Sequence, residues 1–452
     1  MNMAGKKKGV TPVQPPSARP AYSDDTLAEV MRSGRDTSGR ILDTIMPRYL
    51  LEDKDMSILI AYLKNLAYEY SPGIDNYNIN FATIITDEVH VDQVEAMMKL
   101  LESFVTSANK QQVDYEAQLV KLRETRREPT YRRVKLSRWL LKGPPGTWQS
   151  QLETYYRKEP VFALIGGITS KSWKPVHEFS EAHMLPCILP ITDFPVVSAT
   201  DWYTLYFSKG YFQEGEAAAS FLASQDQDIK SKKIVQIVRN TPQGQALSEG
   251  FMQGLNDKVV PLPSTIMVAP NESLDGESLK RLLDKEKPDI LALWTDDSLL
   301  RAFMEDSVPI ELPATLLISS GYFGSKIWSI PEKMRSAAYI TYPYRLPQDE
   351  SRYDRLFTST MKQPNSDEIR RIKSKTMASL RVLTQALKEM RGDFFRDYLF
   401  DTISMMQDLE LPLYERLSFG PEQRYASKGC YVVQLSKGEK PDLIKKSDWV
   451  IH

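Results

Sequence analysis

The sequence predicts an α/β fold of parallel sheets wound on both faces by helices, and three observations predict it. Short apolar runs suited to strands buried on both faces recur along the chain, among them Asn78 to Thr86, Val161 to Ile165, Lys233 to Val238 and Pro288 to Trp294. A longer helical stretch follows each strand, as a doubly wound sheet requires. The chain has 452 residues, too many for one ordinary core, so two or three domains are expected.

Composition narrows the function classes. With 58 basic against 59 acidic residues the net charge is −1, so no global field recruits nucleic acid or a membrane surface. The basic cluster Arg123 to Arg133 reads as a solvated face. Cys187 and Cys430 are the only cysteines, which excludes a disulfide scaffold and every multi-cysteine metal motif. Whether they are two buried thiols or one bridge stays open. No apolar run approaches the ~18–20 residues of a membrane span, and the first residues lack the apolar core of a signal peptide.

Residues 1–22, rich in Pro and Lys, read as a disordered arm. Asp24 and Asp25 can cap a helix over Thr26 to Ser33, and Leu51 to Leu66 carries Met56, Ile58, Leu59, Ile60, Leu63 and Leu66 at helical spacing. Met46-Pro47 followed by the Y-L-x-x-L pattern of Tyr62 to Leu66 resembles the carboxyl half of a small c-type cytochrome. That resemblance implies that residues 23–70 are a partial cytochrome-like segment and that Met46 would be an axial ligand. Covalent haem needs C-x-x-C-H, which the sequence lacks. Haem c is therefore expected only in a longer gene product, one that would also carry the signal peptide.

Residues 71–77 are turn-rich and read as a linker. Strand Asn78 to Thr86, helix Val91 to Ala108, strand Arg132 to Leu141, turn Gly143 to Gly146 and helix Trp148 to Arg157 follow. The turn is no phosphate loop, since no G-K-[ST] follows.

Pro160 to Pro195 is the best-specified βαβ unit. Val161 to Ile165 is stopped by Gly166-Gly167; Thr169, Ser170 and Ser172 can cap a helix from about Lys174 to His183; Pro186 to Pro190 is a second strand, ended by Thr192, Asp193 and Pro195. This order of I-G-G, a Thr/Ser-rich turn, a helix and L-P-x-I-L-P is similar to the first-lobe core of the type I periplasmic binding proteins. These are the leucine/isoleucine/valine-type substrate-binding proteins of ABC transporters. The likeness covers roughly Asn78 to His452.

The resemblance implies two lobes joined by three crossings: 78–201 as lobe 1, 202–335 as lobe 2, 336–410 as a return to lobe 1 and 411–452 as a terminal hairpin reaching lobe 2. Within that frame Tyr203 to Phe207 is a crossing strand, followed by helix Gln213 to Ala223, strand Lys233 to Val238 and helix Gln245 to Leu255. Strand Leu262 to Val268, helix Leu274 to Lys285, strand Pro288 to Trp294, helix Leu299 to Met304 and strand Ala314 to Ser320 come next. Ala337 to Tyr344 is expected to return to lobe 1, and Ile369 to Arg391 to form a long helix. Where the family carries an aromatic followed by Gly, this chain has Gln243-Gly244.

A receptor that closes on a solute must replace the hydrogen bonds the solute loses. Lobe 1 offers Thr169, Ser170, Ser172, Thr192 and Asp193; lobe 2 offers Gln243, Trp294, Asp296 and Tyr322. Hydroxyls at a helix start suit an anion, and Asp193 or Asp296 would suit an amine or hydroxyl. The same residues are also ordinary caps, turn formers and core aromatics.

Catalysis is not expected. His177 and His183 face away from one another on their helix, and no G-x-S-x-G, H-E-x-x-H or Walker pattern occurs. Gly250 to Gly254 matches G-x-x-x-G, but its helix is too polar to span a membrane.

The expected function is hinge-closure capture of a small polar solute, an amino acid, amide or small carboxylate, in the periplasm for an ABC permease or as a sensor. The alternative is an electron-transfer or docking partner of a periplasmic dehydrogenase.

Overall fold

The computed structural model describes residues 22–43, 47–68, 71–121, 132–198, 200–225, 228–272, 275–298, 302–303, 310–349, 366–390, 392–406, 409–411, 414–419 and 424–451. The chain divides into two units, 1–70 and 71–452.

In the first unit α1 (Asp24–Ser33) is capped by Ser23, whose hydroxyl accepts from the Thr26 amide while Thr26 Oγ1 accepts from the Ser23 amide. Asp24 and Asp25, expected to be the caps, lie in the first turn instead, where the helix dipole favours them. Met56 and Ile60 of α2 (Asp53–Tyr68) pack on Val30 and Met31. Met46, the haem ligand implied by the cytochrome resemblance, lies outside the described residues, as does most of the expected arm.

The second unit opens with β1 (Asn78–Thr86), α3 (Val91–Lys121), β2 (Arg133–Leu141), α4 (Trp148–Lys158), β3 (Ala163–Ile165), α5 (Lys174–Ala182), β4 (Cys187–Ile188) and β5 (Thr204–Leu205). These strands form one sheet in the order β2-β1-β3-β4-β5, every pair parallel. Helix α3 runs past its expected end at Ala108.

There follow α6 (Tyr211–Gln225), β6 (Ile234–Arg239), α7 (Pro242–Asp257), β7 (Ser264–Val268), α8 (Gly276–Glu286), β8 (Ile290–Trp294), β9 (Thr315–Ser319) and β10 (Ala338–Tyr342), with one-turn helices at Ser320–Phe323 and Glu332–Arg335. After α9 (Asp367–Met390) and α10 (Arg396–Ser404) come β11 (Leu409–Leu411), β12 (Tyr414–Leu417), β13 (Gly429–Leu435), β14 (Leu443–Lys445) and β15 (Val450–Ile451). The second sheet has the order β14-β13-β10-β9-β8-β6-β7, with β15 also on β13. It is parallel from β10 to β7 and antiparallel wherever β13 pairs.

Three boundaries differ from the expectation, the first two because backbone pairing decides them and the third because burial does. Thr204–Leu205 belongs to the first sheet, not to lobe 2, since the Cys187 and Leu189 amides donate to the carbonyls of Tyr203 and Leu205, both at 2.8 Å. Ala338–Tyr342 stays in the second sheet between β9 and β13, so the return to lobe 1 begins only after it. Tyr414 and Leu417 of the expected terminal hairpin are buried in the first lobe's core with α9 and α10, and the last crossing comes at Ser427 to Gly429. There the Ser427 amide bonds the Phe207 carbonyl at 2.7 Å, setting the first and third crossings side by side. Of the expected helix Leu299 to Met304 only Ala302 and Phe303 lie among the described residues, and both are helical.

Cys187 and Cys430 are unpaired thiols, buried in β4 of one sheet and β13 of the other.

Candidate functional site

In a doubly wound sheet the crevice opens where neighbouring strands send their connections in opposite directions. For the first sheet that point lies between β1 and β3. The loop after β1 brings Glu88 there, and the loop after β3 brings Thr169 and Ser170. Gly167 makes the latter loop feasible: its φ is 93°, and a Cβ would stand 2.8 Å from the Trp173 ring and 3.1 Å from the Ile84 carbonyl.

Glu88 occupies the place that the hydroxyls were expected to offer an anion. Its Oε1 accepts from Thr86 Oγ1 at 2.6 Å, Thr169 Oγ1 at 2.8 Å and the Ser170 amide at 3.2 Å, and Lys171 Nζ stands 3.5 Å from Oε2. Burial alone would raise this carboxyl, but the hydrogen bonds outweigh burial and hold it down at about 2.

A cleft of about 620 Å³ opens beside this loop. Lobe 1 lines it with Thr169, Ser170, Thr192 and Asp193, and with the first turns of α9 from Glu368 to Lys375. Lobe 2 contributes Tyr211, Gly321, Ile327, Trp328 and Tyr342, and the second crossing adds Tyr344 and Arg345. Lys375, only 8% exposed, places Nζ 3.6 Å from Asp193 Oδ1. Burial opposes the Lys375 charge, but Tyr414 and Asp193 beside it more than offset burial and hold the ammonium above its ordinary range. The Arg371 guanidinium lies 4.5 Å from the centre of the Tyr344 ring.

Below the lobe 2 wall lies Glu214, in the first turn of α6 and 2% exposed. It accepts from Thr341 Oγ1 at 2.7 Å, Ser319 Oγ at 2.9 Å and the Gly321 amide at 3.4 Å. Burial lifts its carboxyl to about 7 against the pull of those three donors, with Asp193 adding to the rise.

Of the residues expected in the site, Thr169, Ser170, Thr192 and Asp193 meet in the cleft. The other five are outside its lining. Ser172 accepts from the Lys174 amide at 3.3 Å, a local turn bond. Trp294 is fully buried, edge-on to Phe251 with Nε1 donating to Gln236 Oε1, because alternation along β8 turns it into the core. Asp296 faces Arg239 at 3.5 Å, and Tyr322 shares a hydrogen bond with Thr241 at 2.6 Å. Gln243 sits in the first turn of α7, half-buried.

Glu88, Tyr211, Tyr342, Tyr344, Arg345 and the α9 cations are at the site without having been expected from the sequence. One signal was available: Ile372, Lys375, Ser379 and Leu383 fall on one buried face of α9, and a lysine inside such a stripe asks for a partner. Among the described residues no three His, Cys, Asp or Glu side chains gather as a metal site.

A family model described as periplasmic binding protein matches residues 141–440 and does not reach the first unit. Among solved structures, a branched-chain amino acid ABC transporter from Thermus thermophilus with bound valine shares 10% identity and a TM-score of 0.56, over 83% of this chain and 97% of that one. A leucine binding protein from Thermotoga maritima shares 12% and 0.55, over 82% and 99%. A solute binding protein of an ABC transporter from R. palustris, in complex with benzoate, shares 13% and 0.54, over 83% and 98%. At these identities the likeness is one of fold. No curated protein matches the sequence.

Proposed function

The chain belongs to the periplasmic binding protein family, and from that premise we propose that it is a solute receptor, capturing a small molecule between its lobes by hinge closure. The observation that carries the reading is the cleft itself, about 620 Å³, with Asp193 and Lys375 on one wall and Tyr211 and Tyr342 on the other. A guest bonded to both walls favours the closed arrangement over the open one, which is how binding free energy becomes a hinge motion.

The three crossings between the sheets are the hinge. Solved relatives of this fold carry valine, benzoate or, by name, a fatty acid, so the architecture admits apolar bodies with a charged end. The receptor would hand its guest to the permease of an ABC importer on the outer side of a membrane. Among the described residues no helix is long and apolar enough to cross that membrane.

Thermal unfolding in the presence of amino acids, carboxylates, amides and alcohols tests the proposal. A true guest at ~100 times its dissociation constant adds ~2.7 kcal/mol of stability. Silence across all four classes by a folded protein refutes solute capture.

A further inference from the structure

The two large sheets end in four edge strands, β2 and β5 of the first and β14 and β7 of the second, and three of these are covered or charged. Beyond β5 the chain is continued by residues 424–426, where the Tyr206 amide donates to the Arg424 carbonyl at 2.7 Å and the Ala426 amide to the Tyr206 carbonyl at 2.9 Å. Exposed Arg133, Lys135 and Arg138 stand along β2, and exposed Lys445 on β14, the kind of charge by which sheet edges avoid joining. The fourth edge, β7, has neither device. Its sequence Ser-Thr-Ile-Met-Val carries no charge, Met267 is 51% exposed, and Leu262 just before it is 59% exposed.

The ladder with β6 decides which backbone groups of β7 are free. Val268 turns its carbonyl to β6, accepting from the Asn240 amide at 2.8 Å, so by alternation Ser264 and Ile266 face β6 as well. The amides and carbonyls of Thr265 and Met267 therefore point away from the sheet, and among the described residues no strand pairs with them.

We infer that β7 is a docking edge for a second copy of this chain, the two strands running antiparallel about a two-fold axis at Ile266. In that register Thr265 stands opposite Met267 of the other copy, so every outward amide meets an outward carbonyl and four hydrogen bonds form. The pairing is bounded on both sides. Pro263 has no amide to give, and the Ala269 amide is already spent on Glu272 Oε2 at 3.0 Å. A two-fold axis sets the strand against itself, so any charge on it would face the same charge; β7 meets that condition, which a foreign partner would not impose. Four hydrogen bonds and a few apolar side chains make a small contact, so the dimer is weak, with a dissociation constant on the order of 10 μM. No residue of β7 lines the cleft, so pairing does not occupy it.

Sedimentation equilibrium of the full chain from ~1 to ~200 μM tests this, and a monomer in equilibrium with a dimer is expected. Met267→Pro removes an outward donor and leaves the ladder to β6 intact, because the Met267 amide faces away from that strand. Met267→Lys puts an ammonium on each side of the contact. Each variant is expected to raise the dissociation constant at least ~10-fold, and Met267→Leu to keep it. Amide hydrogen exchange of the wild type reads the same contact without a substitution: Thr265 and Met267 should slow at least ~3-fold from the dilute to the concentrated end, while Ile266, whose amide faces β6, is slow at both. A chain that stays monomeric, oligomers that grow past the dimer, an undiminished dimer in folded Met267→Lys, or exchange at Thr265 and Met267 that ignores concentration overturns the inference.

Discussion

Glu214→Gln removes a titration and little else. The carboxylate is sealed under the cleft wall, where burial moves its proton affinity from the ordinary 4.5 to about 7. Below 4.5 the folded and unfolded chains both hold the proton. Between 4.5 and about 7 only the folded chain keeps it, so the unfolded state gains relative to the folded one and stability falls as pH rises. At 1.36 kcal/mol for each pH unit the full loss is ~3 kcal/mol, reached above pH 7. A glutamine keeps an acceptor for Ser319 and Thr341 and cannot ionise. The assay is urea unfolding of both proteins from about pH 5 to about pH 8, taking the difference between them so that all other groups cancel. The variant should gain on the wild type by ~2–3 kcal/mol across that range. A difference constant to within ~0.5 kcal/mol would show that Glu214 is not held neutral, and the account of the wall beneath Tyr211 and Gly321 would fall with it.

Three further outcomes follow from the packing. Arg396 donates to the carbonyls of Val161, Phe162, His183 and Met184 and to Tyr156 Oη, at 2.6 to 3.2 Å. Arg396→Leu should therefore lower stability in urea by ~3–5 kcal/mol, and a loss below ~1 kcal/mol would refute that tie between α10 and the first sheet. Gly250→Ala puts a Cβ 2.0 Å from the Phe212 carbonyl where α6 crosses α7, and should cost ~1–3 kcal/mol by the same measurement. Gly146→Ala, with nothing within 4 Å, is its neutral control. Cys187, its thiol pushed up to about 12 by burial, and buried Cys430 should both resist Ellman's reagent in the folded protein at about pH 8 and both react in urea; a fast native thiol would contradict their placement.

The elements read correctly from the sequence are those whose evidence is local. Asn78 to Thr86 is a strand at the expected residues because β-branched and aromatic side chains dominate Ile79 to Thr86, and the helix after Trp173 begins at Lys174 where expected. What failed depended on partners far along the chain. Nothing within Ala338–Tyr342 says that β13, some 90 residues later, will pair with it and hold it in the second sheet. The Gly250 to Gly254 spacing was set aside because its helix is too polar for a membrane. Its role is the close crossing of α6 and α7, where Gly254 leaves room for Ala219.

The site was half legible for a related reason. The candidates were taken from strand ends in both lobes, but nothing in the sequence tells that side chains from elsewhere plug the crevices at the two switch points. In the first sheet the plug is Glu88. In the second, between β6 and β8, it is Arg239, 2% exposed, whose Nη1 donates to the carbonyls of Ala269, Pro270 and Glu272 and whose Nη2 donates to Ser298. Asp296 and Tyr322 are spent on holding that region together, so neither reaches the cleft. With both crevices filled from within, the open volume lies against the second crossing and the start of α9, where Tyr344, Arg345, Arg371 and Lys375 line it. A guest held there would touch the second crossing, the segment a hinge between the two sheets would bend.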